Sequence, residues 1–400
     1  MTRTTRKSPR WKFLFTLILS WLMAIAPSGI AQVSGSGNLL ESPTEVNTLV
    51  QQGQKLYDAG DFQPALVFWQ QASSRFQQRG DRFNQAMALG NLSLTYQQLG
   101  QWPQAREAII TSLNLLGDET QDKTPEQLRL LAQVLNIQGN LYLETGEPAT
   151  ALDTWKKTAE IYRRIDHSEG LTQSQINQAE ALQNLGLNPR ACQVLLLSLG
   201  VENQDCKQNG ERRLSQASLD QILHGIPAHV QSQHSLALLN LADLLRKLGQ
   251  PQQAQILLEK LRAQVQYLHH PEDVAQLYLN LGNLERELQH PNQALENYDQ
   301  VIQLPVSSRL KTQAKVEKLN VLIDQIESQS PQINLLRQSL RNEMYQLPVS
   351  QTSVETQIYY AQNLLKLLKR ERQDSSLRLS LKAEITTLLD QVTAQTQDHH

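Results

Sequence analysis

Asn240, Asn280 and Asn320 stand 40 residues apart in a chain of 400 residues, so one carboxamide returns at a fixed point of some repeated unit. Each amide offers two N–H donors and a carbonyl acceptor. An extended peptide backbone presents the complementary groups in alternation, and a ladder of such side chains suits main-chain recognition of a peptide. Asn91 and Asn177 join the series, Asn136 and Asn140 stand near the same point of another unit, and Asn283 adds an amide beside Asn280. The competing use is internal. Asn at helical periodicity can hydrogen-bond within a stack of helices and stiffen it without touching a ligand. The paired basic residues that would clamp a C-terminal carboxylate are not reproduced around these positions, where Arg246, Lys247 and Arg286 supply only scattered charge.

The other chemistry-bearing residues have the wrong spacing for catalysis. The chain has two cysteines, Cys192 and Cys206, separated by 14 positions. In an exported chain they can pair, closing a short loop worth about 3 kcal/mol on the loop-entropy model; the alternative is two free thiols, one packed on a helix and one in a loop. His224, His229 and His234 recur every five residues, which turns successive side chains about 140° apart on a helix, and Pro227 interrupts the run. His269-His270 and His399-His400 lie in polar surroundings, as solvated pairs would. No phosphate-cradling glycine loop, GxSxG elbow or HExxH helix occurs, so neither a metal nor a cofactor is expected and the chain reads as a non-enzyme.

The elements that position the amides are helices. Aromatic residues make up only 5% of the chain, alternation of β-branched and polar residues never persists long enough for a strand, and Leu recurs at three- and four-residue spacing. Before them stands a leader. Arg3, Arg6, Lys7, Arg10 and Lys12 precede the apolar run Phe13–Ala26, and Gly29-Ile30-Ala31 supplies small residues for cleavage after Ala31. Residues 1–31 are therefore expected to be a secretory signal peptide, and the protein periplasmic or extracellular. The apolar run is shorter than the roughly 20 residues of a membrane span, so membrane association is expected only if the leader stays uncleaved. No Cys stands at the cleavage point and no adjacent Arg pair precedes it. Without the five leader cations, 32 basic residues face 39 acidic ones, a net charge of −7 that disfavours a nucleic-acid partner.

One skeleton recurs six times. Ser93, Tyr96, Gly100, Pro103 and Ala105 match Gly53, Leu56, Gly60, Pro64 and Ala65; the later copies run from Gly139 to Ala151, Ala179 to Ala191, Ala242 to Ala254 and, weakened, Gly282 to Ala294. The Gly ends one helix in a left-handed residue, the Pro opens the next where its missing N–H costs nothing, and the small residue and the Ala let the two helices touch. A large residue four places after the Ala, such as Trp69, Trp155 or Tyr298, fills the space between units. A single pair cannot bury its apolar face, and stacked neighbours can.

This pattern resembles the tetratricopeptide repeat (TPR). With LGNLSLTYQQLGQWPQA and LNIQGNLYLETGEPATA it resembles the longer repeats of kinesin light chains, and still more the arrays that precede caspase-like CHAT domains in bacterial proteins. The resemblance implies an all-α fold, a right-handed α-solenoid of about eight antiparallel helix pairs forming a TPR superhelix. It covers about residues 46–305, after a flexible linker at 32–45. An insertion near 201–232 is expected to protrude from one face, and divergent TPR-like pairs with a capping helix fill 306–400.

TPR arrays bind partners on a concave surface lined by the first helix of each pair, so the resemblance implies an exported scaffold or adaptor for a protein or peptide. A CHAT domain is not expected within this sequence, since both cysteines fall inside or beside the fourth repeat and no sheet pattern comes after it. The alternatives are a substrate-recognition or regulatory component of a CHAT-type protease system, and a membrane-anchored envelope assembly factor.

Overall fold

The computed structural model describes residues 43–397 except 118–121, 202–213, 215, 226–231, 269, 345, 348–349 and 372–374. The expected signal peptide, most of the expected linker, Cys206, His229, His269 and His399-His400 lie outside the described residues. The described chain is helical throughout, with no strand. Its first eight helices are α1 (Pro43–Asp58), α2 (Phe62–Gln78), α3 (Arg82–Gln98), α4 (Trp102–Leu116), α5 (Pro125–Glu144), α6 (Pro148–Arg164), α7 (Ser168–Asn184) and α8 (Asn188–Ser198). After α9 (Gln216–Gly225) come α10 (Ser232–Lys247), α11 (Pro251–Arg262), α12 (Pro271–Glu287), α13 (Pro291–Gln303), α14 (Ser308–Gln325), α15 (Pro331–Met344), α16 (Gln351–Arg370) and α17 (Ser375–Gln397). With α9 set aside, the helices follow one another as an all-α solenoid, in which α1–α2, α3–α4, α7–α8, α10–α11, α12–α13, α14–α15 and α16–α17 pack as pairs.

All six motif copies turn their elbow in the same way. The N–H of the residue after the elbow reaches back five positions, from Asp61 to Leu56 O, Gln101 to Tyr96 O, Glu147 to Tyr142 O, Leu187 to Leu182 O, Gln250 to Leu245 O and His290 to Glu285 O, at 2.7–2.9 Å. This bond closes a Schellman turn, whose pivot must adopt positive φ. Gly100 meets that demand at φ 68°, whereas the weakened sixth copy forces Gln289 to φ 62°, a conformation that costs any side chain carrying a Cβ.

Within each pair the small residue of the first helix marks the closest approach. Buried Ser93 donates its hydroxyl to Ala105 O at 2.8 Å. Where the small residue is Gly, the aromatic sixteen places later takes the space: a Cβ built on Gly53 would lie 2.9 Å from the Trp69 ring, and one on Gly282 would lie 2.5 Å from that of Tyr298. Both rings are buried, and the Tyr298 hydroxyl is anchored on Asn283 Oδ1 at 2.9 Å, so the ring cannot simply swing away. Gly282→Ala is therefore expected to destabilise by about 1–3 kcal/mol in urea unfolding. An unchanged midpoint would show that Tyr298 yields freely.

The helices form two compact units. One comprises the chain up to Leu141 with Glu160–Asp166, and its apolar core gathers Trp69, Leu94, Ile109, Ile137 and Leu141. The other comprises Tyr142–Ala159 and the chain from His167 onward. In this second unit the first helices of successive pairs, α7, α10, α12, α14 and α16, lie side by side as one layer, each packed on the next. Their partners α8, α11, α13 and α15 pack behind them. The insertion does not simply protrude. Its helix α9 packs on α11 with Leu219 and Ile222 buried in the core, and the Leu214 N–H donates to Gln250 Oε1 at 2.6 Å. Burying two aliphatic side chains outweighs leaving that short helix in water.

Candidate functional site

The asparagines are divided between the two units. Asn91, Asn136 and Asn140 belong to the first, where Asn91 and Asn136 are buried and Asn140 is half-buried. Helix α3 is buried at eight consecutive residues from Ala88 to Thr95, so it lies inside the core rather than along an open face. Neither amide atom of Asn91 meets a hydrogen-bonding group among the described residues.

In the second unit Asn280 and Asn320 join one first helix to the next. Asn280 Nδ2 donates to Leu239 O on α10 at 2.9 Å, while its Oδ1 accepts from Gln276 on its own helix at 2.9 Å. Asn320 Nδ2 donates to the Tyr359 hydroxyl on α16, and its Oδ1 accepts from Lys366 at 2.8 Å. Asn283 accepts from Tyr298. Half-buried Asn240 donates to Leu236 O one turn back, and Asn177 accepts from Gln173. Asn363, 43 positions after Asn320, repeats the Asn280 geometry by donating to Val316 O at 3.0 Å. At Asn280 and Asn363 the amide faces the neighbouring first helix, whose carbonyls already carry helical bonds and accept a second through their free lone pair.

What the layer presents beyond these amides is charge. Asp243 on α10 binds Arg246 at 2.8 Å and Lys247 at 2.7 Å, and Arg246 continues to Glu287 on α12. Burial would raise the Asp243 carboxyl, but these two cations hold it below its ordinary value. Next along the layer, Arg286 on α12 approaches Glu317 on α14 at 3.6 Å, and the Tyr359 hydroxyl donates to Glu317 at 3.0 Å. Burial dominates there, keeping Glu317 above the usual carboxylate range despite Arg286 and pushing Tyr359 up to about 12. Lys366 on α16 then binds Asp324 on α14 at 2.6 Å. Arg246, Lys247 and Arg286 are thus members of a relay across successive helices rather than scattered charge. Its sequence signal lies in opposite charges one repeat apart, such as Arg246 with Glu287 and Asp324 with Lys366.

The second unit also closes on itself. Glu144, at the end of α5, receives the Thr352 hydroxyl at 3.1 Å and 3.2 Å on its two oxygens and lies 3.5 Å from Arg309. Thr352 and Arg309 are the second residues of α16 and α14, where the positive end of the helix dipole favours a carboxylate. Exposed Glu180 on α7 lies in the field of Glu144, Glu355, Arg309 and Lys247. Its carboxyl is raised first by desolvation and then by Glu144. Lys247 reaches Gln183 on the same helix as Glu180, at 3.3 Å. The surroundings of Glu180 are therefore polar and of mixed charge, and the described residues contain no group of three or more His, Cys, Asp or Glu set to hold a metal ion.

A tetratricopeptide repeat model matches residues 234–304 and a second one matches residues 86–109, where the elbow of the α3–α4 pair lies. No protein of curated function matches the sequence. Among solved structures the chain is similar to apo RapI (15% identity, 80% of this chain and 99% of that one, TM-score 0.51). It is similar also to the apo quorum sensor NprR from B. thuringiensis (11% identity, 86% and 87%, TM-score 0.51). A Rap protein complexed with Competence and Sporulation Factor gives 12% identity over 88% of this chain and 99% of that one, at TM-score 0.50. At these identities the likeness is one of fold, and it agrees with the shared elbow geometry and the two repeat matches: the chain is a tetratricopeptide-repeat protein.

Proposed function

We propose that this protein is an exported, non-catalytic scaffold that binds an extended segment of a partner protein on the first-helix layer of its second unit. The observation that carries the reading is the layer itself, five first helices side by side that present polar contacts such as Glu144 with Thr352 and Arg309, and Lys247 with Gln183. Many modest polar contacts on a preformed surface give affinity without demanding a catalytic group. A Rap protein of similar fold, complexed with Competence and Sporulation Factor, supports the choice of a protein or peptide as partner. The basic leader and apolar run support export, and pairing of Cys192, buried on α8, with Cys206 belongs to the same proposal.

The test places a photo-crosslinking residue singly at exposed Glu180 and Glu355, and as controls at exposed Ile256 on α11 and Leu335 on α15, in cells making the full chain. Glu180 and Glu355 are expected to capture one common partner that Ile256 and Leu335 do not. Capture of that partner from the control positions alone would place binding on the other face and end the proposal. N-terminal sequencing of the recovered chain is expected to begin at Gln32, and a start at Met1 would refute cleavage.

A further inference from the structure

The contact between the end of α5 and the starts of α14 and α16 spans 208 residues of sequence between Glu144 and Thr352. Among the described residues its contacts are polar. The Glu144 carboxylate holds the Thr352 hydroxyl and Arg309, and a Cβ built on Gly146 would lie 3.7 Å from Gln351 Oε1. The apolar side chains on either side belong to different cores. Leu143, Ala151, Leu152 and Trp155 cluster with residues of α7–α12, whereas Leu310 and Ala314, and then Tyr360 and Leu364, belong to two other clusters. Arg309 is half-exposed, so its pairing with Glu144 is screened by water and salt.

We infer that this junction is a polar latch, which opens as a unit without disturbing any apolar core and so admits a chain segment to the first-helix layer. A partly exposed ion pair and one hydroxyl–carboxylate bond favour the closed state by about tenfold, or about 1.4 kcal/mol. About one molecule in ten is then open at rest. A core-bridging contact would instead hold the open state to a population too small to detect. Glu144 also fills the place that an incoming carboxylate would take between Thr352 and Arg309, so closure and binding compete for one hydroxyl and one guanidinium. Only this consequence for ligand entry rests on the function proposed above. The opening itself is measured without a ligand, so failure of one reading is distinguishable from failure of the other.

The measurement is a pulsed electron-spin distance between labels on ketone-bearing residues introduced at exposed Ala149 and Gln362, which leaves both native cysteines in place. At low salt one main distance is expected, with a longer component of about one tenth. The longer component is expected to become the majority in Glu144→Gln/Thr352→Val, and to grow severalfold in wild type at about 1 M sodium chloride. A single unchanged distance in wild type at both salt concentrations and in the folded double variant would overturn the latch. Because the salt arm uses the native chain, a double variant that fails to fold still leaves the inference open to refutation.

Discussion

Glu384→Ala is expected to lower the stability of the C-terminal repeats by about 3–5 kcal/mol. Glu384 on α17 is buried and accepts from Arg337 at 2.7 Å, Arg341 at 2.6 Å and the Tyr360 hydroxyl at 2.5 Å. Burial by itself would raise its carboxyl; hydrogen bonds from Arg341 and Tyr360, with the charge of Arg337, hold it below the ordinary value instead. Removing the carboxylate has unequal consequences for its partners. Arg341, 45% exposed, can return to water, whereas Arg337 at 7% is left as an uncompensated buried charge. The penalty therefore comes mainly from Arg337, and Arg337→Met together with Glu384→Leu is expected to recover most of it. Because repeat arrays unfold piecewise, the loss should appear as early exchange of the α16 and α17 amides, ahead of the repeats before them. Equal protection of α16 and α17 in wild type and Glu384→Ala would refute the account. The linkage sign is that of a depressed carboxyl: the stability is present above the unfolded pKa and is lost as pH falls through the folded one.

Glu272→Gln carries the second large effect, and its sign is opposite. Glu272 is buried in the first turn of α12, beside buried Asp273. Desolvation, opposed by a backbone hydrogen bond and reinforced by Asp273, raises its carboxyl from 4.5 to about 8. The folded chain thus keeps a proton that the unfolded chain releases above pH 4.5. Stability is fully present below that value and drains away as pH rises towards 8. A neutral amide of the same shape cannot titrate, so wild type is expected to lose about 2–4 kcal/mol relative to Glu272→Gln between pH 5 and pH 8, at about 1.4 kcal/mol per unit. Denaturant curves of both proteins across that range test this. Parallel curves would mean that Glu272 ionises in the folded chain as it does in water.

Much of this architecture was legible without coordinates because it is local. The elbow at Gly100 depends on one residue free to take positive φ, a proline two or three places on and two small residues twelve apart, all readable along a single helical hairpin. Even the weakened sixth copy was recognisable, since backbone geometry tolerates Gln289 at a modest energetic cost. The folding of α9 onto α11 was not legible, because Leu219 and Ile222 show an apolar face without naming what covers it.

The sequence by itself determined the period, the all-α solenoid and the recurrence of an amide at one point of each repeat. Only the tertiary structure decided what that amide faces. On a helix packed along both flanks, two adjacent positions can lead to solvent or to a neighbour's carbonyl, and for Asn280 and Asn363 it is the carbonyl. The structure likewise brought Glu144 to Thr352 and Arg309 across most of a unit. No periodicity encodes that meeting, because it depends on the accumulated rotation of every intervening pair.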